Sequence, residues 1–350
     1  MLENSKVLIV GGAGFVGSNL VHRLLNICDP EKIWIVDNLL SADISNVPID
    51  PKVEFIFGSI TSEKILKKLP KDLEYVFHLS CFHGNQSSIA DPYLDHENNT
   101  LTSLKLFETL KDFKHLKKVV YAAAGCAVAE KTFGEAAATS EDAPVSLFHD
   151  SPYSISKLIG EMYGNYYFQR YDLPFVKARF QNIYGPREIL GAGDWRGTAH
   201  TVWRNVTPTF IWKALHHEAL PLDNGGNASR DFIFVEDLVR GLIACADNGN
   251  PGEAYNLASG VETTILDLAK MINKLTHNPT PIDLKPARDW DRSGKRFGST
   301  EKSKEKIGFE AEVDLYEGLK LTIDWTIVNK EKIADSMKKF QLFVSEVTKY

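Results

Sequence analysis

The sequence predicts an α/β fold, a doubly wound parallel sheet with a smaller region at its C-terminal end. Three observations carry that expectation. Apolar, β-branched runs of four to six residues alternate with helix-patterned segments through the first half of the chain, the pattern of repeated strand–helix units. The runs are apolar at nearly every position, as strands buried on both faces require. After Gly185 the alternation gives way to a Gly- and Trp-rich loop, residues 191–197, and to shorter elements.

In chain order, the first strand is Lys6–Val10, and the glycines that follow end it. A helix over 18–26 leads to strands Lys32–Asp37 and Val53–Phe57, then a helix over 63–69 and a strand over 75–79. A helix over 100–113, a strand over 118–122, a helix over 153–171 and a strand over 175–178 complete the half. Turn signals at 223–226 and 248–252 punctuate the remainder. This divides the chain into 1–184, mainly cofactor-binding; 185–330, mainly substrate-binding but sharing some strands with the main sheet; and 331–350, an amphipathic helical tail on the surface or on a second subunit.

The chain has 350 residues, 25% charged and 43% hydrophobic, with 40 basic and 46 acidic side chains and a formal charge of -6. A mildly acidic, dispersed charge excludes a nucleic-acid surface or a polybasic membrane anchor. No apolar run approaches the roughly 18 residues needed to span a bilayer. Only Val7–Val10 precede the glycines, too short a run for a secretion signal, so a cytoplasmic protein is expected. Cys28, Cys81, Cys126 and Cys245 are scattered and form no Cys-x-x-Cys pair; neither a disulfide framework nor a metal site is implied.

The first strand runs into Gly11-Gly12-Ala13-Gly14-Phe15-Val16-Gly17. Glycines at 11, 14 and 17 permit a tight turn, let a pyrophosphate approach the backbone, and bring helix and strand together. The helix N-terminus offers N–H groups and a positive dipole end to phosphate. A glycine-rich turn alone is a weak signal. Here it lies between strand and helix, and Asp37 closes the second strand 20 residues after Gly17, which makes it a Rossmann-type dinucleotide fingerprint. A carboxylate at 37 binds ribose hydroxyls and repels a 2′-phosphate, and no Arg or Lys lies between Asn38 and Pro51 to attract one. NAD, not NADP, is the expected cofactor.

Tyr153-Ser154-Ile155-Ser156-Lys157 places Tyr153 and Lys157 on one face of a helix. An ammonium beside a phenol favours phenolate, as does the positive nicotinamide ring. Such a tyrosine can take a proton from a sugar hydroxyl while hydride leaves the same carbon. The spacing is common by chance; downstream of a dinucleotide fold it acquires meaning.

At these residues the chain resembles the NAD-dependent nucleotide-sugar epimerase/dehydratase family of extended short-chain dehydrogenase/reductases. The likeness spans roughly residues 5–325. Besides the glycine loop and the Tyr–Lys pair, it rests on Asp37-Asn38-Leu39, His78-Leu79-Ser80, Asn98-Asn99-Thr100 and Arg179-Phe180-Gln181-Asn182-Ile183-Tyr184-Gly185-Pro186. Further on it rests on Arg230-Asp231-Phe232-Ile233-Phe234-Val235-Glu236-Asp237 and Tyr255-Asn256-Leu257-Ala258-Ser259-Gly260. Within that family the chain resembles epimerases of bacterial surface-polysaccharide synthesis. The resemblance implies cofactor contacts from Gly11, Gly14, Phe15, Val16, Gly17, Asp37, Asn38, Ser59, Ile60, Leu79, Ser80, Asn99, Tyr153 and Lys157. It implies substrate contacts from Asn182 and Arg230 at the diphosphate, from Asn205 and Val206 at the base, and from a second arginine, Arg288 or Arg292. Planar guanidinium forks suit phosphate oxygens. A homodimer through the helix that carries Tyr153 and the helix over 100–113 is also implied.

One position departs from the family pattern. The family carries a Ser or Thr after the fifth strand; here Tyr121-Ala122-Ala123-Ala124-Gly125-Cys126 puts Ala124 in its place. A preorganised donor at a reacting oxygen is worth about 3–4 kcal/mol. Either another donor serves, or the chemistry differs, or the protein is slow. Cys126, Ser80, His83 and Lys131 are the candidates, with His83 the best suited to a sugar oxygen. Gly125 and Cys126 also replace the family's dehydratase Asp–Glu pair, which argues against dehydration. In the loop 191–205, Arg196, His200 and Arg204 with Trp195 and Trp203 suggest an acidic sugar. The expectation is an NAD-dependent epimerase acting at C4 of a UDP-hexose or UDP-hexuronate, with Tyr153, Lys157 and His83 catalytic and His83 and Arg196 among the substrate contacts. The alternatives are a 4-ketoreductase or dehydrogenase with net NAD(H) turnover, and a catalytically weak NAD-binding regulatory protein.

Overall fold

The computed structural model describes residues 2–129, 132–288 and 294–345. Its centre is a seven-stranded, all-parallel sheet in the order β11 (Ala254–Leu257), β7 (Phe175–Phe180), β5 (Lys118–Ala124), β4 (Tyr75–His78), β1 (Lys6–Val10), β2 (Lys32–Asp37), β3 (Val53–Phe57). Every pairing is parallel, β1 with β4 matching Leu8 to Val76 and β5 with β7 matching Tyr121 to Lys177. The apolar runs form these strands because both faces are covered. Val7 and Ile9 face the helices Phe15–Arg23 and Val235–Asn248; Leu8 and Val10 face Thr102–Leu110 and Pro152–Tyr171. Fully burying each such side chain contributes about 1.5–3 kcal/mol.

Strands β5 and β7 run two residues further than the sequence suggested, because Ala123–Ala124 and Arg179–Phe180 pair with each other beyond the apolar run. The helix expected over 18–26 begins at Phe15, directly on the glycine loop, and ends in a wider turn, Leu24–Cys28, that Asp29 stops in the left-handed region. The helix Pro152–Tyr171 is capped by Ser151, whose hydroxyl accepts from the Ser154 N–H, and stopped by left-handed Asp172.

The chain beyond 184 contributes to two places. Its helix Val235–Asn248 and strand β11 complete the main sheet, while a second core gathers Tyr184, Phe210, Leu222, Phe232, Leu268 and Leu319. Around that core stand a three-stranded sheet, β12 (Glu262–Thr264), β10 (Ser229–Phe234), β8 (Asn182–Tyr184), and the pair β13 (Asp283–Lys285) and β9 (Pro221–Asp223). A last pair joins β14 (Phe297–Gly298) to β6 (Ala138–Thr139). The tail forms the helix Lys330–Lys338, and Ile333, Met337 and Phe340 pack on Ile189, Leu190 and Trp203. No helix among the described residues is long and apolar enough to cross a membrane.

Strand order reverses between β1 and β4, and the carboxyl ends of these strands open a crevice. Open α/β sheets bind ligands at such switch points.

Candidate active site

A cavity of about 720 Å³ lies at that crevice and extends without a break toward the second core. Its floor is the glycine loop. Gly11 has φ +87°, and a Cβ there would stand 2.6 Å from the Ser80 nitrogen; one on Gly17 would collide with the Gly11 carbonyl. The loop can hold this shape only without side chains. No side chain caps the helix that starts at Phe15, so Phe15, Val16 and Gly17 present the helix start to the cavity.

Asp37 closes the loop from the neighbouring strand end. Its carboxylate accepts from the Ala13 N–H at 3.0 Å and from the Leu39 N–H at 2.8 Å. Burial raises its carboxyl, and these backbone donors oppose the shift. Asn38, Ser59, Ile60, Leu79 and Ser80 line the same wall. Asn99, expected there, does not. It is buried behind the wall, where its amide oxygen accepts from the Phe82 N–H at 2.8 Å and its NH2 donates to Asp95 at 2.7 Å. Its contribution is to hold the 81–83 loop.

Tyr153 and Lys157 stand together on the wall, the ammonium 6.0 Å from the phenol ring centroid and donating to the Ala122 carbonyl at 2.9 Å. Burial pushes the phenol well above the ordinary tyrosine range, with Cys81, Cys126 and Tyr121 adding to the rise. The lysine-driven lowering that the sequence suggested is therefore outweighed by burial in the protein alone. Ala124 ends β5 on the same wall beside Cys126, Leu158 and Tyr153, so no hydroxyl is offered there.

His83 faces the phenol edge-on, ring centroids 5.7 Å apart. Its Nε2 lies 2.9 Å from the amide oxygen of Asn205, whose NH2 donates to Glu188. Asn205, expected at the nucleotide base, is thus engaged at the Tyr153 end. Cys81 also lines this corner. Burial alone would raise its thiol, but Lys157, His83 and Arg196 together bring it down to about 7. Glu188 is 6% exposed, and burial pushes its carboxyl up to about 7 against the pull of Asn205, His83 and Arg204.

Arg196 is not a wall residue. It is buried, donates to the His83 carbonyl at 3.1 Å and lies over the Phe82 ring. Trp195 stacks on Phe343 at 5.1 Å, part of the tail packing. Arg204 does reach the cavity, with donors on the Ser41 carbonyl at 2.9 Å and the Ala192 carbonyl. Asn182, Val206, Arg230, Arg288 and Arg296 also line the cavity. Arg230 donates to the Ser229 and Gly294 carbonyls at 2.6 Å each, and Arg288 pairs with Asp223. Arg292 and Lys131 lie outside the described residues.

Sequence reasoning missed Glu188, Cys81, Gln181 and Arg296 as wall residues. Cys81 directly follows the segment 78–80, and Gln181 lies within the segment 179–186, both already singled out, which was the available signal. Arg296 follows the ambiguous arginine pair. Glu188 had only the turn after β8 to mark it.

A family model described as the NAD dependent epimerase/dehydratase family matches residues 7–258. The chain is 30% identical to a UDP-glucose 4-epimerase of Mycolicibacterium smegmatis over 326 residues, 91% of this chain and 98% of the relative. The Bordetella bronchiseptica enzyme WbmF, crystallised with NAD+ and UDP, is 55% identical with a TM-score of 0.88, covering 100% of this chain and 99% of that one. UDP-glucose 4-epimerase of Thermotoga maritima with UDP-glucose is 29% identical with a TM-score of 0.83, covering 93% and 99%.

Proposed function

The chain belongs to the NAD-dependent epimerase/dehydratase family, and from that premise we propose that it is an NAD-dependent epimerase acting at C4 of a UDP-hexose or UDP-hexuronate, through a transient 4-ketone. The observation that carries the reading is one cavity that contains the glycine cradle, the Tyr153–Lys157 pair and the arginines at 230 and 288. NAD fits the cradle, since the absence of side chains at Gly11 and Gly17 lets the loop fold tightly on its own backbone and turn the uncapped helix start at Phe15 to the cavity. Hydride acceptance and return at the sugar carbon is the chemistry that bound NAD supplies.

The chain's own residues divide the remaining work. The Gly11–Gly17 backbone and the helix start bind pyrophosphate; Asp37, whose two oxygens keep lone pairs beyond their backbone bonds, binds ribose hydroxyls. Tyr153 takes the C4 hydroxyl proton and returns it. With Lys157 in place burial still keeps the phenol protonated, and the positive nicotinamide ring of bound NAD+ would add the charge that favours its release of the proton. His83 stands where a polar group can meet the sugar oxygen in place of the hydroxyl missing at 124. Arg230 with Arg288 or Arg292, and Asn182, hold the diphosphate.

The reading extends to a cytoplasmic homodimer serving surface-polysaccharide precursor synthesis. All four cysteines are free thiols, as a reducing compartment favours. Ile155, Met162 and Tyr166 form an exposed apolar stripe along the helix that carries the pair, suited to a second copy.

Proton NMR of the protein with UDP-hexoses, N-acetylhexosamines and hexuronates tests the function. A C4 epimer without net NADH supports it. Stoichiometric NAD(H) change would favour the ketoreductase reading, which Ala124 keeps in play. No conversion across the panel would overturn both in favour of a regulatory NAD-binding role.

A further inference from the structure

Glu188 has no role in the scheme above, yet it is a nine-tenths buried carboxyl on the wall of the reaction cavity. It enters from a strained turn: Arg187, a non-glycine residue, holds φ +73°, a conformation that persists only where surroundings enforce it. The Arg187 guanidinium donates to the Asn19 amide oxygen at 2.7 Å, and the Arg187 carbonyl accepts from Asn46. This turn delivers Glu188 inward. One of its oxygens, Oε2, has no hydrogen-bond partner among the described residues. Arg204, the cation beside it, spends two of its donors on backbone carbonyls instead.

The chemistry of the chain Glu188–Asn205–His83 has one direction. An ionised carboxylate only accepts hydrogen bonds, so the Asn205 NH2 must face Glu188, as it does. The amide oxygen then faces His83 Nε2 at 2.9 Å, and an amide oxygen only accepts. The ring must therefore carry its proton on Nε2. We propose that Glu188 is a positioning residue that, acting through Asn205, fixes the tautomer of His83 and leaves Nδ1 as the ring's proton acceptor. This deepens the epimerase reading and rests on it for the use of Nδ1: neutral His83 accepts a hydrogen bond from a sugar hydroxyl, and donates only after gaining a second proton. Orientation of a catalytic imidazole by a buried acceptor is a general device; here an amide stands between acceptor and ring.

The test reads the ring directly. Protein labelled with 15N-histidine, its His83 signals assigned from a His83→Gln variant, should show Nε2 protonated and Nδ1 bare at pH 8. In Glu188→Gln the side-chain amide can either donate or accept, the register is lost, and the two tautomers should mix; Glu188→Asp should restore the single form at least in part. With an identified substrate, Glu188→Gln should lose about 10-fold or more in kcat with KM within about 2-fold. A wild-type ring protonated on Nδ1, or a tautomer unchanged in Glu188→Gln, overturns the proposal. The ring spectrum needs no substrate, so its failure is distinct from a failure of the epimerase reading. If Glu188→Gln does not fold, the wild-type spectrum alone still decides.

Discussion

Gly160 lies against Tyr121 so closely that a Cβ on the glycine would overlap the phenol ring. The helix Pro152–Tyr171 is thereby pressed onto β5, the Tyr121 hydroxyl donates to the Lys157 carbonyl at 3.3 Å, and Lys157 reaches the Ala122 carbonyl. Gly164 makes the same approach to Phe175 one turn later.

Gly160→Ala should therefore do more than overpack a helix. The added methyl must lift the helix from the strand, at a cost of about 1–3 kcal/mol, and carry Lys157 away from its place beneath Tyr153. Thermal denaturation should show the loss of stability, and turnover should fall further than the fraction of folded protein does. Turnover that merely tracks folding would separate the helix packing from the site.

Tyr153→Phe keeps the ring that packs on His83, Ala124 and Leu158 and removes only the hydroxyl. Turnover should fall by about 100- to 10,000-fold, the range of a lost acid–base group, while NAD still binds, as read by calorimetry. Near-normal turnover in this variant would remove Tyr153 from the mechanism.

Ala124 lines the cavity beside Tyr153, so a serine hydroxyl there would be offered to the reaction. If His83 has taken over the missing contact, His83→Gln should cost about 100-fold or more in kcat. Adding Ala124→Ser to that variant should recover part of the loss. An Ala124→Ser change that gains activity only in the wild-type background would mean that nothing replaces the hydroxyl.

The main sheet was legible because each of its strands is a local run: Val7–Val10 or Ile33–Val36 carries its own burial pattern. The glycine loop and Tyr153–Lys157 were legible for the same reason, as fixed spacings on one element. Glu188 was not, since nothing local tells that a left-handed Arg187 turns it inward or that Asn205 returns to meet it. Arg196 and Trp195 misled in the opposite sense. A loop rich in such residues reads as a ligand surface, but the tail places Phe340 and Phe343 on Trp195, and the loop's arginine is spent inside on the His83 carbonyl. Asn99 likewise serves the cavity from behind, through the Phe82 backbone.

Glu188 also predicts a pH-dependent stability. Burial raises its carboxyl from 4.5 to about 7, with His83 and Arg204 facing it. A raised carboxyl favours its neutral form in the folded state, so the folded protein binds the proton more tightly than the unfolded chain between these two values. Below about 4.5 both states are protonated and the residue costs nothing on this account; as pH rises through 7 the folded state must hold a buried charge. The cost, nearly fully present at pH 8, is on the order of 3 kcal/mol. Glu188→Gln removes the charge, so the variant should melt higher than wild type at pH 8, and its advantage should shrink toward zero near pH 4.5. It should do so while losing turnover, the exchange expected where a strained, buried group is kept for function. Equal melting temperatures at pH 8 would mean that Glu188 is solvated or paired in solution, and that its carboxyl is not held near 7.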